Sequence, residues 1–252
     1  MLNFTSGKIL AQITGGECDG EILFVDDIDD FDSSIDEFEA LVLEEGKIIP
    51  LLNIDERSVN YIAGPSGSGK TTYAINLVKN YKKIYPNKDF FLFSRTDYKN
   101  DPAFKGMKIN QINIDDSLLN NPINIEKELT GGCILLFDDC NTIQNDKLKK
   151  CIDKLMTDVL EIGRKLDITI IITSHLVIPN DKKIARTIMN EIHSMTIFPK
   201  SGSSQQISYS LKTYFGFNRS NIQNILDSKS RWVTINRTYP MTLLYENGAY
   251  IL

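Results

Sequence analysis

The stretch Val59-Asn60-Tyr61-Ile62-Ala63-Gly64-Pro65-Ser66-Gly67-Ser68-Gly69-Lys70-Thr71 decides the fold. Five mostly apolar residues give a short strand. The following run fits G-x-x-x-x-G-K-[ST] and leads into an apolar-periodic helix. The glycines let backbone N–H groups approach phosphate oxygens, and the helix starting at Gly69-Lys70 turns its positive end toward them. Gly64, Pro65, Ser66, Gly67, Ser68, Gly69, Lys70, Thr71 and Thr72 are therefore candidate nucleotide-binding residues. Lys70 is expected to reach the β- and γ-phosphates of ATP and Thr71 to ligate Mg²⁺.

Beyond this stretch strands and helices alternate. The pattern predicts strands at Phe90–Ser94, Cys133–Phe137 and Ile168–Thr173, with helices over 70–85, 146–166 and 181–192. Such alternation gives an α/β fold of the P-loop NTPase class, additional-strand type, with a mainly parallel central sheet flanked by helices. Residues 8–25 read as a β-hairpin or small β-layer. The acidic stretch from Asp26 to Glu39, with Phe24, Ile28, Phe31, Ile35 and Phe38 interleaved, reads as a folded loop or a docking surface. A strand is expected near 207–214, a short helix at 219–227 and a closing hairpin from Trp232 to Leu252. The domain reading is an acidic β-rich extension, 1–57, and a P-loop domain, 58–252, that includes the hairpin.

The strand Cys133–Phe137 ends in Asp138-Asp139. The carboxyl ends of strands in an open α/β sheet form its ligand edge. There Asp138 is expected to hold Mg²⁺ and Asp139 to orient or deprotonate the attacking water; capping of the next turn is the plainer alternative. The strand ending at Thr173 brings Ser174 and His175 to the same edge, as γ-phosphate contacts or as loop polar groups. Along the helix over 146–166, Leu148, Ile152, Leu155, Val159, Ile162 and Leu166 share one face. Arg164 lies roughly 160° from it, open to a neighbouring protomer or to solvent. Lys212, Arg219, Lys229 and Arg231 interleave with Tyr214, Phe215, Phe217 and Trp232, which read chiefly as core.

Composition bounds the alternatives. The 252 residues are 42% hydrophobic and 24% charged, with net charge −5. Residues 1–57 carry 15 acidic and 3 basic side chains, leaving 18 acidic and 25 basic beyond, so the P-loop region is mildly basic. No run approaches the roughly 18 to 20 apolar residues of a membrane span. The start lacks a basic, then apolar, leader, so secretion is not expected. The four cysteines form no CxxC pair and read as free thiols, and two histidines make no metal cluster.

Together these motifs resemble the viral genome-packaging ATPases of the poxvirus and giant-virus type, within the FtsK and HerA superfamily of ring-forming DNA translocases. The residues carrying the resemblance are 61–71, Phe91–Arg95, Ile134–Asp139, Gly163-Arg164-Lys165 followed by 168–175, and Ser230–Val233; it covers about residues 58–240. It implies an ATP- and Mg²⁺-dependent motor acting on double-stranded DNA, a ring homo-oligomer, a capsid or portal-type partner, and a place in the host cytoplasm, at the viral factory, and in the virion. It further implies that Arg164 acts on a neighbouring subunit's ATP. Lys165 stands where the viral relatives often have His, and Ser174-His175 where many members have Gln. A nucleotide or small-molecule kinase, and a non-hydrolysing nucleotide-binding scaffold, are the rival readings.

Overall fold

The computed structural model describes residues 1–26, 38–53 and 56–252. Ile28, Phe31 and Ile35, named above as a docking candidate, lie outside the described residues. In chain order the elements are β1 (Leu2–Asn3), β2 (Lys8–Thr14), β3 (Ile22–Val25), β4 (Ala40–Val42), β5 (Lys47–Pro50), β6 (Val59–Ala63), α1 (Lys70–Ile84), β7 (Phe90–Ser94), β8 (Asn110–Asn113), α2 (Ser117–Asn120) and α3 (Ile125–Glu128). Then follow β9 (Ile134–Phe137), α4 (Asp146–Ile162), β10 (Thr169–Ser174), α5 (Lys182–Glu191), β11 (Ser194–Ile197), α6 (Ser204–Phe215), α7 (Arg219–Asp227), β12 (Val233–Asn236), β13 (Thr242–Tyr245) and β14 (Gly248–Ile251). They form two compact units, Glu56–Ile192 and Met1–Asp55 with His193–Leu252.

In the first unit β6, β9 and β10 are buried along their whole length, as strands covered on both faces by helices must be. Their order is β6-β10-β9-β7-β8, every pairing parallel. Strand β10 stands between β6, which carries the phosphate-binding run, and β9, which carries the paired aspartates. This is the additional-strand arrangement expected from the sequence. The Phe93 and Phe137 rings stack at 4.6 Å between neighbouring β7 and β9.

Helix α4 packs through Leu148, Ile152, Leu155 and Val159 but ends at Ile162, earlier than its periodicity predicts. A Cβ at Gly163 would run into the Val159 carbonyl, and the chain turns over residues 163–167 before β10. Ile162, expected on the buried face, is 38% exposed. Arg57 supplies the reason the helix stops cleanly. Its guanidinium donates to the Leu160 carbonyl at 2.7 Å, an acceptor that the helix end leaves open, and also to the carbonyls of Val159 at 3.4 Å and of Ile168, beyond the helix, at 3.0 Å.

The second unit holds an antiparallel sheet of order β1-β3-β2-β5 and an antiparallel run β4-β14-β13-β12-β11. The closing hairpin is present as β12 against β13, and the chain folds back once more, through Glu246-Asn247, into β14. The strand expected near 207–214 is instead helix α6. Ile207, Leu211 and Phe215 recur every fourth residue and are all buried; Ser203 caps the start by accepting from Gln206 N–H, and Gly216, with φ +71, ends the helix in the left-handed region. Phe215, Phe217 and Trp232 are core, as their sequence reading held.

Candidate functional site: a phosphate cradle facing two aspartates

Among the described residues, every helix longer than a single turn except α1 begins with a side chain accepting from its first N–H groups: Asn145 for α4, Asp181 for α5, Ser203 for α6 and Asn218 for α7. Helix α1 begins at Gly69, which has φ +102 and no side-chain cap. Gly67, at φ +76, is also left-handed, a conformation that costs glycine little and other residues more. The N–H groups of this turn, which the other helices spend on their own side chains, stay available to an anion. The run is tied to the neighbouring strand: Gly64 N–H donates to the Ser174 carbonyl at 2.9 Å.

Opposite the cradle, Asp138 and Asp139 leave the end of β9. Register sets Ile172 of β10 beside Phe137, so Thr173 arrives beside the aspartates. Its hydroxyl donates to Asp138 Oδ1 at 2.7 Å and accepts from Asp139 N–H at 3.0 Å. Thr71 Oγ1 donates to the same Asp138 oxygen at 3.3 Å. Burial pushes the Asp138 carboxyl above the usual range; the Thr173 hydrogen bond opposes this, Asp139 adds to it, and Lys70 and Thr71 oppose it.

Asp139 sits in the left-handed region, φ 48 and ψ 35, which a short polar side chain tolerates better than most. The turn swings its carboxylate toward Lys70, whose Nζ lies 3.0 Å from Asp139 Oδ2. His175 Nε2 approaches the same oxygen at 3.1 Å, and its Nδ1 lies 3.5 Å from Lys70 Nζ. The Lys70 side chain is only 6% exposed, against 26% for Asp139 and 29% for His175. Asp139 Oδ1 is buried with no hydrogen-bond partner among the described residues. A buried oxygen of this kind is costly unless something else meets it.

The cradle, Lys70, Thr71, Asp138, Asp139 and His175 thus converge. Ser174 is different: its Oγ accepts from Leu176 N–H at 3.0 Å, fixing the turn after β10, beside the Tyr61 hydroxyl that donates to the Leu176 carbonyl at 2.7 Å. Arg164 is exposed, in the turn before β10 rather than on α4. It lies beyond the opposite end of β10 from Ser174, and the strand alone spans about 16 Å. Arg95 donates to the Thr142 carbonyl at 3.1 Å, tying the end of β7 to the turn after Asp139.

Sequence reading missed Thr173 and Arg57. The parallel register of β9 and β10 is the signal that finds Thr173; Arg57 precedes β6 and carries no motif. The cysteines are free, with Cys133 and Cys140 buried and Cys18 and Cys151 half-buried. Among the described residues there is no metal-ligand cluster of His, Cys, Asp and Glu, and no helix is long and apolar enough to cross a membrane.

No family model matches the sequence. The structure is similar to the DNA-packaging ATPase B204 of Sulfolobus turreted icosahedral virus (10% identical, TM-score 0.52, 76% of this chain and 98% of that one). It is also similar to the genome-packaging NTPase B204 of Sulfolobus turreted icosahedral virus 2 in complex with ATP-gammaS (9% identical, TM-score 0.50, 74% and 96%). The cytoplasmic domain of the type VII secretion ATPase EccC of Thermomonospora curvata matches at 12% identity and TM-score 0.53, over 83% of this chain and 28% of that one. At such identities these likenesses establish the fold, that of the P-loop ATPases. In sequence, the chain is 42% identical to uncharacterized protein V3 of Sputnik virophage over the whole length of both. The chain is a P-loop NTPase-fold protein and belongs to the family of the Sputnik virophage V3 protein.

Proposed function

We propose that the chain is an ATPase that drives double-stranded viral DNA into a capsid, working as a ring of identical subunits. The observation that carries the reading is the juxtaposition of an uncapped α1 terminus and buried Lys70 with Asp138, Asp139 and His175, across a sheet in which β10 separates β6 from β9. That strand order favours a hydrolysing motor over a nucleotide kinase or GTPase, where this extra strand is lacking.

The donors present fit a hard cation. Thr71 Oγ1 and Asp138 Oδ1 are neighbouring oxygens, and Thr173 holds the carboxylate in place. Mg²⁺ held by Thr71 and Asp138 would offset the charge of the phosphates. The α1 N–H groups would bind phosphate oxygens, and Lys70 would turn from Asp139 to the γ-phosphate. Asp139, released, would accept a proton from water as its oxygen bonds to phosphorus and the bond to the ADP oxygen breaks. His175 would keep the Asp139 carboxylate aimed at that water.

Arg164 cannot serve its own chain's site from the far end of β10, and its exposure suits supply to a neighbour's γ-phosphate. That makes each active site a shared one. The similarity to packaging ATPases supports DNA as the track and a capsid or portal-type protein as the dock; in this reading the chain acts at the viral factory in the host cytoplasm and is carried in the virion. The test is ATP hydrolysis measured against protein concentration, with and without duplex DNA. Turnover per chain should rise steeply with concentration and with DNA. A slow rate indifferent to both would point to a nucleotide-binding scaffold, and phosphate transfer to a nucleoside monophosphate would point to a kinase.

A further inference from the structure

Strand β4 ends its sheet: it pairs with β14 and with no other strand among the described residues. The hydrogen bonds fix which of its groups are spent. Ile251 N–H donates to the Glu39 carbonyl at 2.9 Å and Leu43 N–H to the Asn247 carbonyl at 2.9 Å. Leu41, opposite Ala249, lies between them. In an antiparallel ladder the paired residues alternate, so Ala40 and Val42 point their N–H and C=O groups outward. Both residues are exposed, Val42 by 62%.

The two faces beside this edge differ in chemistry. On one, Val42 lies opposite Gly248, which lies opposite Tyr245. The Tyr250 ring lies against Gly248, and beside it a groove of about 520 Å³ is lined by Val42, Tyr245, Tyr250 and Leu252 together with the polar side chains of Asn224 and Lys229. The two tyrosine rings meet edge to face at 5.5 Å. On the other, Leu41 and Leu43 line a hollow rimmed by the exposed carboxylates of Glu17, Glu44 and Glu45.

We infer that β4 is a docking edge for an extended segment of a partner protein, added as a further strand, whose side chains alternate basic and apolar. A strand laid along β4 finds the outward groups of Ala40 and Val42, and its successive side chains fall on opposite faces. Apolar side chains then enter the tyrosine groove while lysines or arginines meet the carboxylates. Charge selects the occupant: a second copy of β4 would bring Glu39, Glu44 and Glu45 against the same carboxylates, whereas a basic segment complements them. The excess of acidic over basic residues in 1–57 acts in the same direction.

The test uses the full chain and a short labelled peptide alternating lysine with valine, followed by fluorescence anisotropy and amide hydrogen exchange. Saturable binding is expected, with the Ala40 and Val42 amides becoming protected. Val42→Pro removes one outward N–H without touching the ladder to β14 and should weaken binding about tenfold. Glu44→Lys with Glu45→Lys should weaken it comparably, and a glutamate–valine peptide should bind at least about tenfold less tightly. The inference is overturned if the lysine–valine peptide fails to bind, or binds Val42→Pro as tightly as the parent chain. Slow exchange of the Ala40 and Val42 amides in the free monomer, or self-association abolished by Val42→Pro, would overturn it equally.

Discussion

Helices α1 and α4 each follow a buried strand of the same parallel sheet, yet they begin in opposite ways. Asn145 accepts from the N–H groups of Lys147 and Leu148 at the head of α4, whereas α1 opens on left-handed Gly69 with no side-chain cap. A cap of this kind contributes about 0.5–2 kcal/mol. Helix α1 forgoes it and keeps its donors for a ligand. Stability and binding compete for the same few N–H groups, and the sequence shows which side prevails by what precedes the helix: asparagine for one, glycine for the other.

The largest effect should come from outside this pair. Arg164→Ala, read by steady-state turnover and separate nucleotide binding, should lower kcat by roughly 10³–10⁵ while ATP still binds. Turnover at the parent rate would remove the intersubunit role. Next, Lys70→Ala at the head of α1 should cost about 10²–10³ in turnover. Thr173→Val keeps the shape but takes a hydrogen bond from each aspartate; a fall of about 10–100-fold in activity or Mg²⁺ affinity is expected.

The smallest effects separate the two helices most cleanly. Asn145→Ala should lower stability by about 1 kcal/mol, a Tm drop of roughly 2–4 °C, with ATP affinity unchanged. A change in affinity would mean that α4's cap also serves the site. For Asp138 the sign follows from its raised carboxyl. The folded chain holds that proton to higher pH than the unfolded one, so stability is lost as pH rises through the interval between the two values. Asp138→Asn, which can still accept from Thr173, should therefore raise the Tm measured without Mg²⁺ above neutral pH, and the gain should vanish in acid. A gain that persists unchanged in acid would contradict the burial argument.

Much of the P-loop unit was legible because its signals are local. Val59–Thr71 carries strand, turn and helix start in consecutive residues, and Ile134–Asp139 ends an all-buried run in two carboxylates. What escaped depends on long-range register or on a single steric contact. Thr173 matters because β10 lies beside β9, and the end of α4 at Ile162 is set by Arg57, which takes the Leu160 carbonyl, and by Gly163, where a Cβ would meet the Val159 carbonyl and only glycine fits. Arg57 reaches residues more than a hundred positions away. The strand expected near 207–214 is helix α6: Ser203 and Gln206 form the S-x-x-Q start of a helix, and Ile207, Leu211 and Phe215 recur at the helical spacing of four.

The edge of β4 shows a different limit. Three residues give no periodicity to read, and their outward N–H groups follow only from which residues pair with β14. The left-handed Asp139 is similar: no motif announces the turn that brings its carboxylate to Lys70 and His175.

The shared active site is tested most directly by mixing two inactive variants. Lys70→Ala spoils its own nucleotide site but retains Arg164, and Arg164→Ala retains an intact cradle. Mixed in equal amounts, they should regain about a quarter of the parent turnover, because one boundary in four would join an intact cradle to a neighbour's arginine. Mixtures as inactive as either variant alone would contradict the account.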